Sequence, residues 1–401
     1  MTPRFNPATF NPHDPAFLAN PYPVYAQFRE VAPVSFVPTY HSWWCFRYED
    51  CQRILTETDL FIKNDPNPST GSPPPIAGVL SAMPESVFSV DNPRHDQLRP
   101  VLDGLFATAI ADAAEVAARL GRTLLTTAKS SAQFELINAY ALPLPGQVLQ
   151  HVLGVNAVDF GGIMNWVGAI VSAHDITAPM SVQAAGLTCD MGLNAYYQAL
   201  ARCPAHYDKG KLFDLMLTKG TNAPNGLSPE DVQVNSVTLS IAGYYSTTFL
   251  IGTGTINLLQ NPEQMALLKA KPELGRSAFW EMMRYDGPVQ VIDRYVTADT
   301  EIGGKSFHKG DIVTAVTGSA NHDPSAFPDP DRFDITRDAR KGLSFGAGIH
   351  YCLGAPLAEI VSPVAFQVLL EELPGLKLAG TAQWRTDPYL RAPVSVPIAY
   401  G

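Results

Sequence analysis

The spacing of apolar positions divides this 401-residue chain into stretches with different periods. Asn20-Pro21-Tyr22-Pro23 opens a helix that ends near Glu30, since proline is well placed in a first helical turn. From Val34 to Arg47 the period drops to two, with Trp43, Trp44 and Phe46, which predicts a β-hairpin. Residues 62–90 are rich in Pro, Ser, Gly and Asn and read as a long irregular loop, a feature that is usually functional in a compact protein. Beyond it, three-to-four-residue spacing predicts helices over roughly 92–128, 138–153, 159–173, 182–202, 228–260, 263–270 and 275–286. Strand-like stretches fill 289–315, a last helix runs from about Leu353 to Leu373, and short strands close the chain. The fold class is mainly α with small β-sheets, an α+β chain. Strands and helices do not alternate regularly, and no glycine-rich phosphate fingerprint follows a strand, which argues against a doubly wound dinucleotide fold.

Composition narrows the partners. The chain is 46% hydrophobic and 16% charged, with net charge −10 and no Lys/Arg cluster, which argues against nucleic acid and anionic membrane. The opening residues MTPRFNPATFNPHDP hold no apolar signal core, and no run is long and apolar enough to span a bilayer. Five cysteines, odd in number and without a CxxC pair, read as reduced thiols and a cytoplasmic location. A single domain over residues 1–401, monomeric, is expected.

The most specific chemistry lies in FGAGIHYCLG, residues 345–354. Cys352 sits in a glycine-punctuated loop just before an apolar helix, a setting for a metal ligand rather than half a disulfide. Gly346, Gly348 and Gly354 let the backbone fold tightly around the sulfur and aim N–H groups at it, and the helix start favours thiolate. His350 is placed to reach a carboxylate beside the metal. The string resembles the haem-binding loop of the cytochrome P450 family, FGxGxHxCxG, and matches it at every fixed position, Phe345 included.

That resemblance carries further expectations. It implies a single triangular domain with haem b between a long central helix and the loop and last helix, and Cys352 as the iron's thiolate ligand. Glu281 and Arg284, three apart in WEMMRYDGP, resemble the family's Glu–Arg pair, with Arg332 of Asp331-Arg332-Phe333 as the second arginine. Together they would hold the cysteine loop. His95 and Arg99 in SVDNPRHDQLR, Arg294, and His350 resemble the partners of the haem propionates.

The central helix departs from the family pattern at SIAGYYSTTFLIG. Ala242-Gly243 keeps the small pair that leaves space for dioxygen, but Tyr245 takes the acidic position and Ser246 that of the alcohol. Ser246 keeps a hydroxyl for proton delivery, whereas a phenol with pKa near 10 is a poor relay base. Either Tyr245 packs while another water path serves, or the substrate itself supplies protons. A second departure is electrostatic: Gln97, Pro100, Asp103 and Glu359 stand where the family commonly shows basic residues that dock a ferredoxin. Helical spacing puts Thr238, Ala242 and Ser246 on one face with Ile241 beside them, and the resemblance adds Val289, Gln290, Ile292 and Leu390 to the substrate pocket. Phe88, Trp166, His174 and Tyr244 are further aromatic or imidazole candidates for its lining.

The implied function is oxidation of a small organic substrate, a secondary metabolite, with O2 and electrons from NAD(P)H through ferredoxin and ferredoxin reductase. Hydroxylation and oxidative coupling or ring formation are both open. Two other classes stay in view: a peroxide-using haem-thiolate enzyme independent of redox partners, and a non-catalytic haem or ligand-binding protein.

Overall fold

The computed structural model describes residues 6–64, 86–173, 175 and 177–401. Its helices are α1 (Pro15–Ala19), α2 (Tyr22–Val31), α3 (Tyr48–Thr56), α4 (Arg94–Ala109), α5 (Ala113–Ala128), α6 (Pro143–Leu153) and α7 (Ala157–Ser172). They continue with α8 (Met180–Leu200), α9 (Leu212–Leu215), α10 (Pro229–Gln260), α11 (Pro262–Ala270), α12 (Gly275–Asp286), α13 (Thr317–Ala320) and α14 (Ala355–Glu372). The mainly α expectation holds, with the strands gathered in small sheets.

α10 organises the molecule. Ser228 and Asp231 form a capping box at its start: Ser228 Oγ accepts the Asp231 N–H at 3.0 Å, and the Asp231 carboxylate accepts the Ser228 N–H at 2.7 Å. Pro229 occupies the first turn, and Asn261-Pro262 ends the helix. Its 32 residues would span about 48 Å. It packs on α6, α7, α8, α12 and α14. Polar side chains survive inside because their hydroxyls bond back one turn, as Ser236 does to Val232 O at 2.7 Å and Thr255 to Ile251 O at 2.7 Å.

The largest sheet has the order β1 (Val34–Val37), β2 (Ser42–Cys45), β8 (Ile312–Ala315), β5 (Ile292–Val296), β3 (Phe61–Ile62). The hairpin pairs Val34 with Cys45 and Val37 with Ser42, as the alternation predicts. β2 runs parallel to β8, and β5 antiparallel to both β8 and β3. A three-stranded sheet joins β4 (Gln133–Glu135), β12 (Pro397–Ala399) and β9 (Lys377–Leu378). Two-stranded pieces join β6 (Thr300–Ile302) to β7 (Lys305–Phe307), and β10 (Gln383–Trp384) to β11 (Pro393–Ser395).

Two features differ from the sequence reading. The helix expected over 92–128 is two, because Asp112 leaves the helical path to meet His151 at 2.8 Å and Lys211 at 3.0 Å. No glycine or proline marks that break. Amphipathic α3 was not anticipated; it buries Cys51, Ile54 and Leu55 against the largest sheet. Of the loop expected at 62–90, residues 65–85 lie outside the described residues.

Candidate functional site

The loop before α14 is bolted to α12. Glu281 and Arg284 are fully buried and meet in two hydrogen bonds, Nε to Oε2 at 2.7 Å and Nη2 to Oε1 at 2.8 Å. Arg284 also donates to the carbonyls of Asn321 and Pro330, each at 2.8 Å. Asn321 passes the hold onward: its Oδ1 accepts the Leu343 N–H at 2.7 Å and its Nδ2 donates to Ser344 Oγ at 2.7 Å. Ser344 Oγ in turn donates to Met283 O. The residue before Phe345 is therefore clamped to α12 on both sides.

The second arginine of this set is Arg337, not Arg332. Arg337 Nε donates to Glu281 Oε1 at 3.3 Å, and its other nitrogens reach the carbonyls of Pro328, Asp329 and Arg332. The Arg332 side chain is 67% exposed, 3.9 Å from Asp334, and that residue contributes only its carbonyl. The chain turns back between the two, so that Glu281 accepts the Asp334 N–H at 2.9 Å and the fifth residue on faces inward.

Within the loop the glycines act differently from one another. Gly348 has φ +68°, and a Cβ there would lie 2.5 Å from Leu55 O, so the loop packs on the end of α3 only with glycine. Gly346 has φ +71° and lies beside Ile292. Gly354 has an ordinary helical φ of −80° and instead contributes its N–H to the sulfur of Cys352, together with that of Ala355. Phe345 O accepts the Cys352 N–H at 3.0 Å, and the Phe345 ring packs on Phe279 and Trp280. Burial pushes the Cys352 thiol up, and these N–H groups with the charge of Arg99 push it down. A bound metal cation would complete the balance in favour of thiolate. All five cysteines are free thiols.

Beside the loop the fold gathers cationic and imidazole side chains around two carboxylates, Asp91 and Asp293. The rings of His95 and His350 meet edge to face at 4.8 Å. His350 Nε2 lies 3.1 Å from Asp91 Oδ1, so the carboxylate it reaches is Asp91, and its buried Nδ1 has no hydrogen-bond partner among the described residues. Among the described residues nothing hydrogen-bonds either ring nitrogen of buried His95, whose Nδ1 lies 3.8 Å from Asp96 Oδ1, or Nε of buried Arg294, whose Nη1 donates to Asp293 O at 2.9 Å. Burial, helped by neighbouring positive charge, lowers His350 to about 4, Arg294 to about 10 through burial alone, and Lys63 to about 7 with Arg294 beside it. A cluster of desolvated donors facing unfilled hydrogen-bonding positions fits a buried dianionic group such as two propionates. Arg99 also braces the cysteine loop: Nη1 donates to Ile349 O at 3.2 Å and to Tyr351 O at 2.6 Å, and Nε to Asp103 at 2.9 Å. Lys63 and Asp91 escaped the sequence reading. Their only local sign was position at the edges of the irregular stretch.

On the opposite wall, Ala242 is exposed in mid-helix while Ile241, Tyr244, Thr247 and Thr248 around it are buried. The helix therefore opens at Ala242, with Gly243, Tyr245 and Ser246 half-buried at its rim. Ser246 Oγ donates to Ala242 O at 2.9 Å, which leaves its lone pairs free toward the opening. Val289, Ile292 and Leu390 are also half-buried, and Val289 and Leu390 bridge as strand partners.

Other pocket expectations are corrected. Gln290 is turned into the protein: its Nε2 donates to Gly287 O at 2.8 Å, and its amide fills the space beside Gly318. Thr238 and Ile241 are only 6% and 4% exposed, because α8 crosses there and Tyr197 meets Ser240 at 2.6 Å. Trp166 lies across Gly192 in the α7–α8 interface. Tyr244 is packed into α6 at Gly146. Phe88 is exposed, with Lys63 Nζ 3.8 Å from its ring centre. His174 lies outside the described residues. The face flanking the cysteine loop is charge-compensated, Arg276 pairing with Glu359 at 2.6 Å and Arg340 with Asp338 at 2.9 Å.

Comparison with known proteins agrees with this geometry. The family described as Cytochrome P450 matches residues 273–374, which run from α12 through the cysteine loop to α14. The chain is 29% identical over 406 residues to the polyketide biosynthesis cytochrome P450 PksS of Bacillus subtilis, covering 97% of this chain and 98% of that one. It is 31% identical to the mycinamicin IV hydroxylase/epoxidase of Micromonospora griseorubida, covering 94% of each. Among solved structures, P450BioI in complex with a hexadec-9Z-enoic acid-ligated acyl carrier protein superposes with a TM-score of 0.87 at 28% identity, covering 96% of this chain and all of that one.

Proposed function

The chain belongs to the cytochrome P450 family, a haem b-dependent oxidoreductase, and on that premise we propose that it oxidises a small secondary-metabolite substrate with O2 and two electrons from NAD(P)H delivered by a ferredoxin system. The observation that carries this is the pairing of the Cys352 sulfur, which receives two backbone N–H groups, with four neighbouring buried nitrogens that lack hydrogen-bond partners among the described residues, His95 Nδ1 and Nε2, His350 Nδ1 and Arg294 Nε. Cys352 would ligate the iron, and His95, His350, Arg294 and Lys63 would hold the propionates. When bound, a thiolate-ligated haem supplies reductive cleavage of dioxygen, one atom going to water and the other to hydroxylation, or both to water in coupling or desaturation.

The rest falls to the chain. Glu281, Arg284 and Arg337 fix the loop, and Arg99 holds its carbonyls. Ala242 and Gly243 leave room for a diatomic ligand, and Ser246 Oγ, oriented by the Ala242 carbonyl, holds and passes a proton at the opening. Val289, Ile292 and Leu390 present apolar surface to the substrate.

A peroxide-driven reaction calls for a carboxylate near the opening, and α10 carries no acidic residue after Asp231. Turnover of a substrate panel should therefore require NAD(P)H with a ferredoxin and its reductase and fail with hydrogen peroxide alone. Efficient turnover on peroxide alone, with none on NAD(P)H, overturns the proposal.

A further inference from the structure

The one family position that the proposed chemistry leaves without a task is Tyr245. Its hydroxyl end reaches from α10 to Gly168 of α7. A Cβ built on Gly168 of α7 would lie 2.8 Å from Tyr245 Oη, inside contact distance, so the phenol end sits against bare backbone that only glycine provides. The ring is steadied from behind by Tyr244, edge to face at 4.7 Å, and by Phe249 at 5.5 Å. Tyr244 is itself locked into α6, where a Cβ on Gly146 would lie 2.7 Å from its ring.

The two tyrosines are not equivalent. Tyr244 is 5% exposed and belongs to the core, whereas Tyr245 is half-buried at the rim beside Ala242 and Ser246. α7 is also tied down at its end, Arg385 of the β10–β11 hairpin donating to Val171 O at 3.3 Å. The Tyr245 hydroxyl has no hydrogen-bond partner among the described residues, and burial raises the phenol further above its ordinary range. It is a neutral group with no acceptor to pass a proton to.

We infer that Tyr245 and Gly168 form a ring-and-socket brace that fixes the separation of α10 and α7, and hence the room above Ala242 and Ser246. Tyr245 is a positioning and size-selecting residue, acting through the bulk of its ring and phenol oxygen and not through its proton. The brace limits the site to ligands that are slim where they pass between the two helices. This rests on the haem-thiolate reading of the site, which the ferrous–CO spectrum of each variant checks separately. A missing thiolate band in the parent protein would count against that reading and not against the brace.

The test is a double-mutant cycle on holoenzyme, read by the spectral titration of two iron-binding azoles, slim 1-phenylimidazole and bulky clotrimazole. Tyr245→Phe keeps the ring but removes the Oη that fills the Gly168 socket, so it should move clotrimazole only part of the way toward the Tyr245→Ala value and leave 1-phenylimidazole within twofold. Tyr245→Ala should tighten clotrimazole about tenfold or more while 1-phenylimidazole changes less than threefold. Gly168→Ala displaces the ring and should change at least one constant fivefold beside Tyr245, but less than twofold in the Tyr245→Ala background. Should Tyr245→Ala fail to retain haem, Tyr245→Leu serves the same comparison. Equal effects of Gly168→Ala in both backgrounds, or a Tyr245→Phe protein that behaves like Tyr245→Ala, would overturn the brace.

Discussion

At the scale of single residues, the division between Arg337 and Arg332 is the sharpest consequence of the structure. Glu281 is fully buried and shared by two guanidinium groups, so losing one leaves its charge under-compensated. Arg337→Ala should cost on the order of 3 kcal/mol in denaturant unfolding and lower haem retention. Arg332→Ala, at a solvent-facing side chain, should stay within about 0.5 kcal/mol of the parent. Equal losses would contradict the assignment. Ser246→Ala should lower product formed per NAD(P)H consumed roughly 100-fold, with more reduced oxygen released, while substrate binding is unchanged. Full coupled turnover in that variant would show that protons reach the site another way. The sequence carried the motif residues here because glycine and cysteine spacing encodes local backbone geometry. It misplaced the second arginine because five residues of turn separate Arg332 from Arg337, and only the tertiary path decides which faces Glu281.

At the scale of elements, periodicity located α10, α12 and α14 closely because each carries a strong start signal or a long apolar pattern. It joined α4 to α5 because their break is made by long-range pairing of Asp112 with His151 and Lys211, which has no local signature. Gln290 shows the same limit: its residue position matches the pocket strand, but side-chain direction on so short a segment is set by Gly287 and Gly318. The turn between β10 and β11 makes a pH-dependent prediction. Asp387 is 4% exposed, with Oδ2 unpartnered, and burial raises its pKa to about 6, nearby Asp175 adding to this and Arg385 opposing it. Its folded pKa lies above the unfolded value near 3.9, so the folded chain holds the proton more tightly. The stability this contributes is complete below pH ~4 and lost as pH rises through about 6. Asp387→Asn should therefore gain about 2 kcal/mol at pH 7.5 and almost nothing at pH 4, measured by urea unfolding at both values. A gain that does not depend on pH would contradict the buried-acid account.

At the scale of the molecule, a mainly α chain with small sheets and one cysteine loop was legible from length, pattern and ten residues of motif. The cation cluster was legible only in part, since Lys63 and Asp91 reach it from the edge of a stretch without periodicity. In the proposed holoenzyme Cys352 is the thiolate ligand of a haem held by His95, His350, Arg294 and Lys63. The ferrous–CO spectrum of dithionite-reduced protein, recorded beside Cys352→Ser, tests it most directly. The parent protein should show a thiolate-type Soret band that is lost in the variant. A parent spectrum without that band, or a variant that keeps it, would contradict the claim.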